Sequence, residues 1–97
     1  MQKKLDQFEF RAIESLVNSA LYAHSKKDAE PYISRLENIL PFNIDSYAKL
    51  VFRELLSYTK NASGRVSDKP MKTSLAKQHL HKFQIFGVDS NIYSTDT

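Results

Sequence analysis

The chain has 97 residues, of which 41% are hydrophobic and 26% charged, and its net charge is +3. These proportions predict one folded domain and exclude a chain that is too polar to form a core. The absence of cysteine excludes disulfides and thiolate metal sites, and no apolar run reaches the roughly 18 residues of a membrane-spanning helix.

The first predicted element is a helix over residues 5–25. Its apolar residues recur at steps of three and four, which is the helical period and places them on one stripe. The polar residues at 24–27 then end the helix, where basic side chains suit the negative end of its dipole. The stripe consists of Leu5, Phe8, Ala12, Ile13, Leu16, Val17, Ala20 and Leu21.

A second, shorter helix is predicted over residues 29–40. Asp28 is expected to cap the free amide groups of this helix. Pro31 falls in the first turn, where backbone N–H groups have no acceptor within the helix, so a proline costs no hydrogen bond there. Pro41 ends the helix because the residue before a proline is pushed out of the helical region.

Residues 45–60 form the third predicted helix and the most apolar segment of the chain. Leu50, Phe52 and Leu56 widen its apolar stripe beyond what a surface helix needs. A helix of that width is either central in the fold or buried by a second copy of the protein.

After the third helix, residues 61–70 are predicted to form a flexible joint that leads into a fourth helix over 71–84. Residues 83–88 fit either an extension of this helix to a glycine cap or a short extended segment. Residues 87–97 are a polar tail. The predicted fold is all-α: a small bundle of three antiparallel helices, with a fourth C-terminal helix after the joint, in a single domain over 1–86.

Positive charge is concentrated in the second half of the chain. Residues 46–97 hold eight basic and four acidic side chains, whereas residues 1–45 hold six basic and seven acidic. A local field of this sign steers an anionic partner toward the surface. The candidate residues for binding such a partner are Arg65, Lys69, Lys72, Lys77 and Lys82.

No metal, cofactor or catalytic site is predicted. His79 and His81 are two residues apart, which is about 200° around a helix, so His79 is expected at the edge of the core and His81 in solvent. With two glycines in the chain, no glycine-rich loop is available for a phosphate, and no serine lies in a strand–turn–helix elbow. We therefore expect a protein that is not an enzyme.

The favoured hypothesis is a small non-enzymatic adaptor or regulatory protein that binds another protein and forms a homodimer. Eleven aromatic residues and two wide apolar helices offer more apolar surface than a core of this size consumes. The basic residues would then orient a partner with an acidic surface. The candidate contact residues are Leu50, Phe52, Leu56, Phe83 and Phe86.

The alternative is a small nucleic-acid-binding regulator that uses the basic segment 65–82 to neutralise phosphates. The joint at 61–70 is long for the turn of a helix-turn-helix motif, and the last helix has no arginine to read guanine. Because residues 1–9 lack an apolar signal core, the expected location is the cytoplasm, with no membrane partner.

Overall fold

The computed structural model describes residues 3–89, which form four α-helices and no strand. In chain order the helices are α1, Gln7–Leu21; α2, Lys26–Glu37; α3, Ser46–Ala62; and α4, Lys69–Gly87. Helices α3 and α4 form the most extensive helix pair, and α2 packs mainly on α1. The predicted all-α fold is therefore confirmed.

Helix α1 begins at a capping box formed by Asp6 and Glu9. The Asp6 carboxylate accepts the Glu9 N–H at 2.8 Å, and the Glu9 carboxylate accepts the Asp6 N–H at 2.9 Å. The helix buries Phe10 and leaves Phe8 84% exposed, so the prediction that Phe8 belongs to the buried stripe is wrong. The two rings are about 200° apart around the helix, and Phe10 is the one that faces Phe83.

Helix α2 begins earlier than the sequence predicts. Ser25, and not Asp28, is its N-cap, because the Ser25 hydroxyl accepts the Asp28 N–H at 3.0 Å. Pro31 consequently lies inside the helix, where one backbone hydrogen bond is missing. The same start shortens the preceding helix, which ends at Leu21 and not near residue 25.

Helix α3 begins as predicted, and α4 extends beyond its predicted end. Asp45 caps α3, since its carboxylate accepts the Ala48 N–H at 3.1 Å. Helix α4 continues past residue 84 to Gly87. The Phe83 ring fills the space beside this glycine, where an added Cβ would lie 2.7 Å from the ring.

The connection between α3 and α4 is packed against the start of α2. Ser63 and Gly64 are buried, and Gly64 has a φ of +68°. A Cβ on Gly64 would lie 2.4 Å from the carbonyl carbon of Ser25, so the two backbones are in direct contact there. The predicted joint at 61–70 thus includes residues of both helices as well as this packed turn.

The core lies between the helices and centres on three phenylalanines. The Phe83 ring stacks on Phe10 with centroids 6.4 Å apart and meets Phe52 edge to face at 5.2 Å. Phe52 and Phe83, which the sequence predicts as partner contacts, are therefore core residues of the monomer. The other large apolar side chains of the core are Leu5, Ile13, Val17, Leu21, Leu36, Ile44, Val51, Leu55, Leu80 and Val88.

Three short extended segments lie side by side at one end of the molecule. Segment 3–5 lies between segments 43–45 and 87–89, with which it forms isolated parallel bridges. The N–H groups of Lys3 and Leu5 each donate to a neighbouring segment at 2.9 Å. These bonds gather the beginnings of α1 and α3 and the end of α4 at the same end of the fold.

The first part of the predicted polar tail belongs to this packed arrangement. Val88 is 3% exposed, and the Asp89 N–H donates to the Leu5 carbonyl at 2.8 Å. The remainder of the predicted tail, residues 90–97, lies outside the described residues.

Candidate interaction surfaces

Most of the exposed large apolar side chains lie at the end of the molecule that holds the three extended segments. Among the described residues eight such side chains are exposed, and six of them belong to this end. They lie on the first two turns of α1 and α3, in the connection before α3, and on the last turn of α4. We call this region the apolar end, and it consists of Phe8, Phe42, Tyr47, Leu50, Ile85 and Phe86.

An apolar patch lies where α3 begins and α4 ends. The rings of Tyr47 and Phe86 meet edge to face with centroids 5.1 Å apart. Leu50 follows Tyr47 by one helical turn and is 57% exposed, while Phe86 is 39% exposed. We define these three residues as the α3–α4 patch. It contains Leu50 and Phe86, two of the residues that the sequence predicts for partner binding.

Polar and aromatic pairs continue from the α3–α4 patch along the same two helices. One turn away, the Lys82 ammonium lies 3.7 Å from the Glu54 carboxylate. A further turn away, the rings of Tyr58 and His79 stack with centroids 4.1 Å apart. The outer side of this helix pair therefore changes from apolar to charged to aromatic along its length.

The other three predicted apolar contacts do not belong to this patch. Phe52 is 4% exposed and Phe83 is fully buried, so both are covered by the monomer's own core. Leu56 is half-buried in a groove of about 290 Å³ that it shares with Phe42. It lies six residues after Leu50, which is about 120° around α3. The five predicted residues thus divide between the core and two different faces.

The predicted anion-binding residues are also separated by the fold. Lys77 donates to the Tyr22 hydroxyl at 2.7 Å and lies 5.2 Å from the centre of the Tyr22 ring. Lys82 is paired with Glu54. Lys72, Lys77 and Lys82 follow one another at steps of five residues, each about 140° around α4. They therefore share no single face. Within residues 3–89, only the side chains of Arg65 and Lys72 in the predicted set form neither a hydrogen bond nor an ion pair.

Lys69 is half-buried and is bound to the ends of two other helices. Its ammonium donates to the backbone carbonyls of Leu21 and Ala62, and to that of Gly64 at 2.7 Å. Leu21 and Ala62 are the last residues of α1 and α3, whose terminal carbonyls have no partner within their own helix. Burial lowers the pKa of Lys69, and the nearby charge of Lys26 lowers it further. Lys69 therefore joins the start of α4 to the ends of two other helices.

Lys26 is a second cation at these helix ends, and the sequence gives no sign of its position. Its ammonium donates to the Lys60 carbonyl at 2.7 Å and to the Ser63 carbonyl at 3.3 Å. The residues are far apart in the chain, so no local pattern could reveal the contact. We call this region the basic end, and its cations are Lys26, Lys60, Arg65, Lys69, Lys72 and Lys77.

No metal site or membrane-spanning helix is found within residues 3–89. No group of three or more His, Asp or Glu side chains in that range is arranged to hold a metal ion. None of its helices combines the length and the apolar character needed to cross a membrane. His79 is half-buried and His81 is exposed, as their spacing on one helix predicts.

Comparison with known proteins adds no family to this description, because no protein-family model, curated protein or solved structure matches the chain. The function is therefore argued from the two ends of the molecule, one apolar and the other basic. The chemistry of each end determines the kind of partner that it can bind.

Proposed function

We propose that this protein is a small, cytoplasmic, non-enzymatic adaptor or regulator that acts by protein–protein binding and forms a homodimer through the α3–α4 patch. The observation that carries the proposal is the gathering of six exposed large apolar side chains at one end of a small helical domain. Monomeric proteins rarely expose so much apolar area in one region, and such areas mark interaction sites.

The exposed area at the apolar end approaches that of a dimer interface. An aromatic side chain buries about 150–250 Å² when it is fully covered, and Phe8 and Phe42 are 84% and 96% exposed. With the partial exposure of the other four residues, the six side chains together expose on the order of 700 Å², of which the α3–α4 patch is one part. An interface of standard size takes about 800 Å² from each partner.

The charges beside the α3–α4 patch favour a second copy of the chain as its occupant. Lys82 and Glu54 lie one turn from the patch, so each copy presents one positive and one negative group there. In a two-fold contact the same surface meets itself, and each Lys82 can face the Glu54 of the other copy. The two basic ends, which repel each other, then lie far apart.

Replacing Leu50 with glutamate is expected to convert the dimer into a monomer without unfolding the chain. Leu50 is 57% exposed, so the monomer tolerates the charge, whereas a dimer would have to bury it without a partner. Light scattering should give twice the chain mass of 11.2 kDa for the wild-type protein and 11.2 kDa for the variant. Circular dichroism should show the same helix content for both.

Ser15→Glu is the matched control for this experiment. It also adds one carboxylate at an exposed helical position, but Ser15 lies on α1, outside the patch. The control should keep the mass of the dimer. A wild-type mass of 11.2 kDa at high protein concentration, or a dimer that survives Leu50→Glu, would contradict the proposal.

We expect no binding of nucleic acid, because the lysines of α4 do not form one phosphate-binding face. A short labelled DNA duplex and a labelled RNA strand should be titrated at low salt, where release of counterions favours binding most. The nucleic-acid alternative would instead be supported by binding that weakens steeply as salt is added. Arg65→Glu and Lys72→Glu should then each reduce that binding.

A further inference from the structure

A groove at the basic end lies where the connection 63–68 passes between α3 and α4. It encloses about 420 Å³. Its apolar lining consists of Tyr58, Val66, Met71 and Leu75. The Tyr58 ring is held in the lining by the His79 ring that stacks on it, and Met71 is 56% exposed at the mouth. The groove is thus formed in the free protein and accessible to a partner.

Two lysines, Lys26 and Lys72, line this groove, and neither is paired with a carboxylate of the described residues. Lys26 donates to the carbonyls of Lys60 and Ser63, which are neutral acceptors and leave its charge in place. Within residues 3–89 neither Lys26 nor Lys72 forms an ion pair with an aspartate or glutamate. The ammonium of Lys69, in the same region, is likewise held by carbonyls. The groove therefore combines an apolar lining with two lysines that form no ion pair within residues 3–89.

The pKa of Lys69 agrees with a positive field at this end. Burial lowers that pKa most, the charge of Lys26 lowers it as well, and Tyr22 raises it. A carboxylate close to Lys69 would raise the pKa, because an opposite charge favours the protonated ammonium. The contribution of Lys26 to this pKa shows that the two ammonium groups lie close together at the basic end.

We propose that this groove binds an acidic segment of a partner protein, in which aspartate or glutamate residues flank a large apolar side chain. The apolar side chain enters the groove, and the carboxylates meet Lys26 and Lys72. Pockets for drug-sized molecules measure about 300–1,000 Å³, so the groove suits one or two side chains of the size of leucine or phenylalanine. The site lies about two helical turns along α3 and α4 from the α3–α4 patch, and it shares no residue with the patch.

The lining favours a peptide over a nucleic acid. A protein that binds nucleic acid without reading its bases needs a row of phosphate-binding side chains and aromatic faces on which the bases stack. One face of the Tyr58 ring is already covered by His79. Val66, Leu75 and Met71 instead present aliphatic and thioether surface, which adapts to apolar side chains of different shape.

Selection from a library of random displayed peptides tests this proposal. The enriched sequences are expected to carry Asp or Glu on both sides of Leu, Ile or Phe, and a labelled synthetic copy should bind the wild-type protein in fluorescence anisotropy. Lys72→Glu should weaken this binding at least about tenfold, because it reverses one of the two cations of the groove. Lys49→Glu, a matched charge reversal at an exposed position of the apolar end, should leave the affinity within about twofold.

Two further measurements locate the bound peptide. It should shift the amide resonances of Val66, Met71 and Leu75, and it should bind the Leu50→Glu variant as tightly as the wild-type protein. The measurement on Leu50→Glu tests the peptide-binding groove separately from the proposed homodimer, because either proposal can be wrong while the other is correct. No enrichment, enriched peptides without acidic residues, or an affinity that Lys72→Glu leaves unchanged would overturn the proposal.

Discussion

Replacing Gly64 with alanine is expected to lower the free energy of unfolding by about 3–5 kcal/mol. An alanine at the φ of +68° found here costs about 1–2 kcal/mol. The new Cβ would also lie 2.4 Å from the carbonyl carbon of Ser25 and 2.5 Å from the nitrogen of Lys26, and backbone atoms cannot rotate away. Because each kcal/mol corresponds to about 4–8 °C at this chain length, thermal melting should fall by more than about 10 °C.

Asp68→Ala is the matched control for Gly64→Ala. Asp68 also has a left-handed backbone conformation, with a φ of +54°, and it is exposed. Because aspartate already has a Cβ, Asp68→Ala places an alanine at a left-handed position without a new steric clash. It should cost about 1 kcal/mol or less. If Gly64→Ala melted no lower than Asp68→Ala, the direct contact between the α3–α4 connection and the start of α2 would be disproved.

The helices themselves could be predicted because their signals are local. Ala48, Val51 and Leu55 recur at steps of three and four in the sequence, and all three are buried on the inner face of α3. Asp45, directly before them, provides the cap. Signals of this kind need no knowledge of the rest of the fold, and they were sufficient for the all-α class.

The bounds of α2 could not be predicted in the same way. Ser25 and Asp28 are both residue types that cap helices well, and each stands before a helical stretch. The structure uses Ser25, and the backbone of Gly64 packs directly against this residue. A contact between residues so far apart in the chain decides between two local signals of similar strength.

The extended segments 3–5, 43–45 and 87–89 are also a product of the whole fold. Each is too short to show the alternation of apolar and polar residues by which a strand is recognised. Each segment precedes or follows a helix, and its pairing follows from the packing of those helices. The sequence therefore predicts that residues 87–89 belong to a polar tail, whereas in the fold they pair with segment 3–5.

The number of apolar and basic side chains can be read from the sequence, but the direction in which each of them points cannot. The sequence reveals that the third helix has more apolar residues than one face requires, but Leu50 and Phe52 are equally apolar. They lie about 200° apart, and the position of α4 decides that Phe52 is buried and Leu50 is exposed. In the same way Lys69 and Lys72 are the same residue type, and only the helix ends near Lys69 distinguish them.

The two proposals together describe a bivalent adaptor. A homodimer formed through the α3–α4 patch would carry two basic grooves, one on each copy. A partner protein with two acidic segments could then occupy both grooves at once. Two partner proteins that belong to the same complex could do the same. The second contact would be intramolecular, which raises the overall affinity without any new contact between the chains.

Replacing Lys69 with methionine is expected to lower the free energy of unfolding by about 2–4 kcal/mol. Methionine keeps a long apolar side chain but removes the donor to the carbonyls of Leu21, Ala62 and Gly64. A buried acceptor without a partner costs about 1–3 kcal/mol, and water entering this end recovers part of that loss. Chemical denaturation measures the change. Lys72→Met, where no hydrogen bond within residues 3–89 is lost, should cost less than about 0.5 kcal/mol.

The pH dependence of Lys69→Met tests the burial of the ammonium separately. Burial and the charge of Lys26 lower the pKa of Lys69 below its ordinary value of 10.5, so the folded chain releases this proton at a lower pH than the unfolded chain. Between the two pKa values the unfolded chain binds more protons, and stability therefore rises with pH. The stability difference between wild type and Lys69→Met should thus grow as the pH is raised from neutral toward 10.5. A difference that shrinks over this range, or a loss no larger than that of Lys72→Met, would contradict the role of Lys69 in holding the helix ends together.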